Sequence, residues 1–393
     1  MLSNQNSAAA PSDDQVPLLD VGRGNDPLRD SFLEAIAGVI DSGRFLFGPD
    51  VGEFECEMAG VTQSENAVSC ASGSDALLLA MMALGIGPGD EVILPSFTFF
   101  ATASCVSRVG ATPVFAEIRE DTFNIDPQSI RELITPRTRA IIPVHLFGQM
   151  VQIDEIVQIA REHDIAVVED AAQAIGAAYQ DRPAGSWGTA GCFSFYPTKN
   201  LGGMGDGGML TTNDAALADR LRLFASHGMR PRYYHQVIGI NSRLDTFQAA
   251  VLRVKLQHLE TIVRGRQQNA KRYDRLFNDA GLAGESLVLP YQDPDALHVW
   301  NQYAIRIPGG RRDALKSYLA ERKVGAEIYY PIPVHMQECY QHLGVKEGSL
   351  PVTERVATEV LNLPIFPELR AEEQQYVVDT IAAFFAAESR IAA

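Results

Sequence analysis

Two hydrophobic periods alternate along this chain. Over residues 27–42 the apolar positions Leu28, Phe32, Ile36 and Ile40 recur at helical spacing and Gly43 supplies a stop; a second helix is expected over 51–60. Residues 67–70 read as a short strand that passes through Ala71, Ser72, Gly73 and Ser74 into a strong helix. Apolar, β-branched runs at 91–95, 112–118, 139–146 and 165–169 read as strands, with a helix at 153–162. Phe193 and Phe195 alternate as in a buried strand that Pro197 ends; a strand at 208–212, a helix at 214–224 and a long helix at 246–262 follow. This rhythm predicts an α/β fold with a mostly parallel central sheet sandwiched by helices.

Beyond residue 263 the pattern changes. A strand at 299–307, a helix at 312–323, an aromatic turn at 328–335 and a terminal helix at 372–387 predict a smaller α+β part. The organisation expected is a mobile start (1–26), a large α/β domain (27–262) and a small C-terminal domain (263–393).

The 393 residues are 46% hydrophobic and 21% charged, ordinary for a globular protein with a large core. A formal charge of −16 disfavours nucleic acid or an anionic membrane as partner, so anionic ligands need local basic residues. Five cysteines without CxxC spacing indicate neither a disulfide framework nor a zinc site, and a reducing cytoplasm fits that usage. Residues 1–16 have no basic start or apolar middle, and the apolar run 76–84 is too short to cross a bilayer, so no export signal or membrane span is expected.

Candidate chemistry concentrates at strand ends. Lys199 lies on a turn among glycines just past Pro197; on that stretch alone a solvated turn lysine is the commoner case. The run ending in Glu169-Asp170, with Gln173 one helical turn on, changes the reading, because such ends face the ligand crevice in open α/β sheets. An acid that keeps a pyridine nitrogen protonated, an amide and a lysine that forms a Schiff base are what pyridoxal phosphate (PLP) requires. Ser72-Gly73-Ser74 at a helix start reads either as a phosphate seat or as a plain cap, and it lacks the ending of an ATP loop. Phe97, Phe99 and Phe100 past a strand edge suit stacking on a planar cofactor or filling of core. Arg230 and Arg232, beside Tyr233, Tyr234 and His235, suit a phosphate or carboxylate, or a solvated loop.

Four stretches in order, Ala71-Ser72-Gly73-Ser74, Glu169-Asp170-Ala171-Ala172-Gln173, Ser194-Phe195-Tyr196-Pro197-Thr198-Lys199-Asn200 and Gly239-Ile240-Asn241-Ser242-Arg243-Leu244-Asp245, resemble the DegT/DnrJ/StrS family of PLP-dependent nucleotide-sugar aminotransferases. The resemblance spans most of the chain and implies a type I aminotransferase fold. It implies that Lys199 is the Schiff-base lysine, Asp170 the partner of the pyridine nitrogen and Gln173 the neighbour of the ring hydroxyl. Gly73, Ser74 and Ser194 then contact the phosphate, Phe99 lies over the ring, and Asn241 reaches the cofactor of a second subunit in a homodimer with shared sites. Threonine is the commoner residue of the family at the Ser74 position; serine keeps the hydroxyl.

The same resemblance implies transfer from an amino acid, glutamate foremost, to a nucleotide-linked ketosugar at C3, the cofactor cycling through its pyridoxamine (PMP) form. Arg230, Arg232, Tyr329 and His335 are its expected substrate contacts. UDP-3-keto-N-acetylglucosaminuronic acid is favoured, with dTDP-3-keto-6-deoxyhexoses next. Sugar dehydratases of this fold carry histidine in place of the lysine, so Lys199 argues against that branch. A regulatory protein on the same fold is the other rival, and the acidic balance speaks against its binding DNA.

Overall fold

The computed structural model describes residues 15–284 and 286–392. Its centre is a seven-stranded sheet of β1 (Asn66–Cys70), β2 (Glu91–Pro95), β3 (Thr112–Ala116), β4 (Thr138–Ile141), β5 (Ala166–Asp170), β6 (Ala190–Ser194) and β7 (Gly208–Thr212), in the spatial order β1-β7-β6-β5-β4-β2-β3. The pairs β2/β3, β2/β4, β4/β5 and β5/β6 are parallel, and β7 runs against both its neighbours. Side-chain alternation explains the sandwich. Ile93, Ile141, Val167, Phe193 and Met209 enter one core, whereas Val92, Leu94, Ala140, Val168, Cys192 and Leu210 enter the other. The helix Ile153–Glu162 covers one face with Ile153, Ile156, Val157, Ile159 and Ala160.

Several expected elements differ in extent. The strand expected over 139–146 stops at Ile141, because Pro143 has no N–H to give the ladder, and the chain turns at Leu146–Gly148. The strand expected over 299–307 is Tyr303–Arg306, paired with Val360–Leu363. The long helix expected over 246–262 is two: Thr246–Leu256 and Leu259–Asp279, parted at Gln257-His258. No glycine or proline announces that break; the apolar stripe shifts there from one packing partner to another. Leu259 and Val263 pack in the large core, whereas Ala270, Tyr273 and Phe277 join Tyr303, Leu361 and Phe366 in a separate one.

The expected mobile start also needs correction. Residues 1–14 lie outside the described residues, but Val16 is fully buried and its N–H donates to Lys323 O at 2.9 Å. Asp20 caps the helix Val21–Asn25, and Arg23 pairs with the buried Glu373. Residues 16–26 are therefore a fixed strap on the smaller core. Among the described residues no helix is long and apolar enough to cross a membrane.

Candidate active site

Because β1, β2, β5 and β6 run in one direction, their carboxyl ends open on one edge of the sheet, and every expected cofactor residue but Asn241 follows such an end. Asp170 ends β5 opposite Cys192 of β6 and is buried. Thr102 Oγ1 donates to its Oδ2 at 2.8 Å and the Ala172 N–H to its Oδ1 at 3.2 Å. Burial pushes the Asp170 carboxyl above the usual carboxylate range, opposed by those hydrogen bonds and by the charge of Lys199. Thr98 Oγ1 lies 2.9 Å from Thr102 Oγ1. Since Thr102 gives its proton to the carboxylate, Thr98 must donate to Thr102, so the two hydroxyls form a chain aimed at the acid.

Lys199 sits on a turn closed by its N–H on Tyr196 O at 2.9 Å, with Gly203 N–H on Phe195 O at 2.8 Å. Gly202 is required there, because a Cβ would fall 2.3 Å from Pro197 O. Burial lowers the Lys199 ammonium to about 8, and the Asp170 charge pulls the other way. An amine that deprotonates near neutrality is a usable nucleophile and proton carrier.

The strand neighbour Glu169 points to the opposite face, as alternation demands. It accepts from His145 Nε2 (3.0 Å) and from the N–H groups of Gly185 (2.8 Å), Trp187 (2.8 Å) and Gly188 (2.7 Å). The Val151 N–H donates to His145 Nδ1 at 3.3 Å, so the ring is neutral with its proton on Nε2. Glu169 is thus an anchor beneath the site.

The phosphate seat is built by close approach. Ser72, not Ser74, caps the helix Gly73–Leu84 by accepting from Asp75 N–H at 3.1 Å, which leaves the Gly73 and Ser74 amides at the open end. A Cβ on Gly73 would lie 2.6 Å from Ser194 Cβ, and one on Gly208 2.3 Å from the Ser72 carbonyl. Gly73, Ser74 and Ser194 are therefore brought together. Ser242 Oγ donates to Asp75 at 2.7 Å and accepts from Ala71 N–H at 3.1 Å, tying in the loop that carries the exposed Asn241.

Gln173 is buried; its Oε1 accepts from Phe147 N–H at 2.6 Å and its Nε2 donates to Tyr330 OH at 3.2 Å, which fixes the amide plane. The Tyr330 ring lies 6.1 Å from that of Phe99, which is exposed, whereas Phe97 is core.

The expected substrate residues fare less evenly. Tyr329 is half-buried beside Tyr330. His335 does not reach the crevice: it is buried, its N–H donates to Ser96 Oγ at 3.0 Å, its Nδ1 takes the Ser96 proton at 2.6 Å and its Nε2 faces Glu354 at 3.3 Å. Both ring nitrogens are spent on holding the aromatic turn. Arg230 is exposed and gives both terminal nitrogens to Asp219, at 2.5 and 2.8 Å, while Arg232 lies over Tyr233, 4.9 Å from its centroid. Thr98, Thr102, Ser242 and Tyr330 escaped the sequence reading.

A desolvated acid, a low-pKa lysine and an open helix start fit pyridoxal phosphate, and together with this sheet they define a PLP-dependent aminotransferase. The profile of the DegT/DnrJ/EryC1/StrS aminotransferase family matches residues 27–382, and the chain belongs to that family. It is similar to the "Pleiotropic regulatory protein" of Geobacillus stearothermophilus, 46% identical over 94% of this chain and 98% of the other. It is 44% identical to the UDP-N-acetyl-3-dehydro-alpha-D-glucosamine 3-aminotransferase of Acidithiobacillus ferrooxidans, over 91% and 95%. Further relatives at 45% and 40% identity are named as transaminases of dTDP- and UDP-linked sugars. Among solved structures, that of Streptomyces venezuelae DesV in complex with a ketimine intermediate superposes with a TM-score of 0.90 at 45% identity, covering 94% of this chain and 98% of that one.

Proposed function

We propose that this enzyme transfers an amino group from L-glutamate to C3 of a nucleotide-linked ketosugar, in the cytoplasm, as a homodimer with shared sites. The carrying observation is that the buried Asp170, held by Thr102 and Ala172, and the lysine loop with Lys199 follow neighbouring parallel strand ends beside the close approach of Gly73 to Ser194. The cofactor, when bound, supplies the electron sink. Asp170, oriented by Thr102 and Ala172, would keep the ring nitrogen protonated; Lys199 would carry the proton from the donor's Cα and return one to C3 of the sugar. The donor leaves as its 2-oxo acid and the ketone oxygen as water.

UDP-3-keto-N-acetylglucosaminuronic acid is the acceptor to test first and dTDP-3-keto-6-deoxyhexose the second; relatives are named for sugars on both nucleotides. Arg232 supports the uronic acid, since its exposed cation has no carboxylate partner among the described residues while that of Arg230 is already paired. The shared site is supported by the exposed rings Phe47, Tyr233 and Tyr234 and by Ile238, 94% exposed three residues from Asn241, an apolar surface that a second copy would cover.

Amination of a panel of UDP- and dTDP-ketosugars with glutamate tests the acceptor, and turnover of none of them would overturn the assignment. Mixing inactive Lys199→Ala and Asn241→Ala proteins tests sharing. Recovery of activity is expected, and none after verified subunit exchange would refute it. A regulatory role without turnover has no feature of this site in its favour.

A further inference from the structure

Against the lysine loop lies a cavity of about 220 Å³, which Lys199 helps to line and whose other walls the chemistry above does not use. It is bounded by the N-terminal strap, the turn 197–200, the segment 255–266 and Phe366–Glu368. Three buried polar atoms without a hydrogen-bond partner among the described residues belong to residues that line it: Asn25 Oδ1, Asn200 Oδ1 and Arg266 Nε. Lys255 lines it too, 7% exposed, and its ammonium makes no hydrogen bond or ion pair among the described residues. Buried polar groups are almost always satisfied, so their gathering around one space indicates a ligand of matching chemistry.

Charge defines that ligand. Arg266 spends only Nη1, on the carbonyls of Trp300, Asn301 and Ile365 at 2.9, 3.2 and 3.1 Å, which leaves its charge without an anion. Lys255 is the second cation. Glu368 is the acid whose field reaches both, and it forms no ion pair with either among the described residues; the other acid on the wall, Asp20, is held by Arg23 at 3.1 Å. With Lys199, which also lines the space, committed to the cofactor, the two remaining cations against one free carboxylate leave one positive charge uncompensated, and an unpaired buried charge is costly. A monoanion removes that cost, its oxygens accepting from Lys255 and Arg266. The orphaned Asn25 and Asn200 oxygens need a donor, which a hydroxyl supplies; an ammonium would also serve but would cancel the ligand's own charge.

We propose that this cavity binds a small hydroxylated monocarboxylate between Lys255 and Arg266. The site stands apart from the acceptor assignment, and Asn200, next to Lys199 in the chain, joins it to the lysine loop. Calorimetric titration of the PLP-loaded enzyme with glycolate, acetate and neutral glycolamide tests it. Glycolate is expected to bind, acetate several-fold more weakly for want of the hydroxyl, and glycolamide not at all.

Lys255→Met should weaken glycolate by about tenfold or more, the worth of a charge-assisted hydrogen bond. Lys255→Arg should retain binding, and the surface control Lys271→Met should leave it unchanged. No binding of glycolate, or binding indifferent to Lys255→Met, would overturn the site. Should Lys255→Met not fold, crystals of the unaltered enzyme grown with glycolate decide: carboxylate density between Lys255 and Arg266 supports the site, and water alone refutes it.

Discussion

At the floor of the crevice both oxygens of Asp170 have donors, Gln173 is held at both ends of its amide and Glu169 below accepts four hydrogen bonds. At the proposed rim Arg232 rests on the exposed ring of Tyr233, and Tyr234, Ile238 and Phe99 face solvent. The floor is finished within one chain: its geometry is fixed before anything binds, which is what chemistry on a rigid cofactor ring demands. The rim is left to be completed from outside, by a sugar nucleotide or a second subunit. Substitutions at the floor are therefore expected to act on the rate of the chemical step, and those at the rim on binding.

The largest test of that division is Lys199. Lys199→Ala should reduce amino transfer by about 10⁴-fold, measured in single turnovers, because nothing else at the floor can carry the proton. The intact apoprotein should react with pyridoxal phosphate faster as pH rises, half-maximally near pH 8 instead of the ordinary lysine value of 10.5. A midpoint near 10.5 would mean that the floor does not desolvate its lysine.

Asp170→Asn comes next, with a loss of about 10²–10³-fold in transfer, as for other preorganised charges. Its effect on the apoprotein should have the opposite sense. Burial raises the folded carboxyl above its ordinary 3.8, so between 3.8 and the raised value the folded state binds more protons, and stability falls as pH rises through that window. Asparagine escapes that cost. The variant apoprotein should therefore melt higher at pH 7, with the gain fading toward pH 4; a lower melting point at pH 7 would show that hydrogen bonding outweighs desolvation at this site.

Thr102→Val should lower the rate by about tenfold through loss of one hydrogen bond to a charged group, and Thr102→Ser should restore it. If valine changed KM alone, the hydroxyl chain from Thr98 would belong to binding and the contrast between floor and rim would fail.

The floor was legible in sequence where chemistry needs a particular residue at a strand end: Asp170, Gln173, Lys199 and Gly73 stand out by type and spacing. Strand alternation even separates Glu169 from Asp170. What supports them was not legible, because a threonine such as Thr102 is common and only the approach of the β2 end to the β5 end gives it a role. The helix break at Gln257-His258 was hidden for a related reason: it is set by a change of packing partner, and no local breaker marks it. His335 misled for another reason: the resemblance implied a substrate contact, yet Ser96 and Glu354, distant in sequence, consume both its nitrogens.

The smallest expected effects separate the two rim arginines, which sequence alone could not distinguish. Arg230 is exposed and already tied to Asp219, so in Arg230→Ala a surface pair of little worth is lost and acceptor KM should change by less than about twofold. Arg232 has no carboxylate partner among the described residues and its charge is exposed, so Arg232→Ala should raise KM for a uronic acceptor by several-fold with kcat unchanged, and raise it less for a 6-deoxy acceptor. Equal changes for both sugars would assign Arg232 to the diphosphate, which the two share. A fall in kcat would place Arg232 with the floor instead, and the boundary between preformed chemistry and a rim completed on binding would then run through the loop at Tyr233.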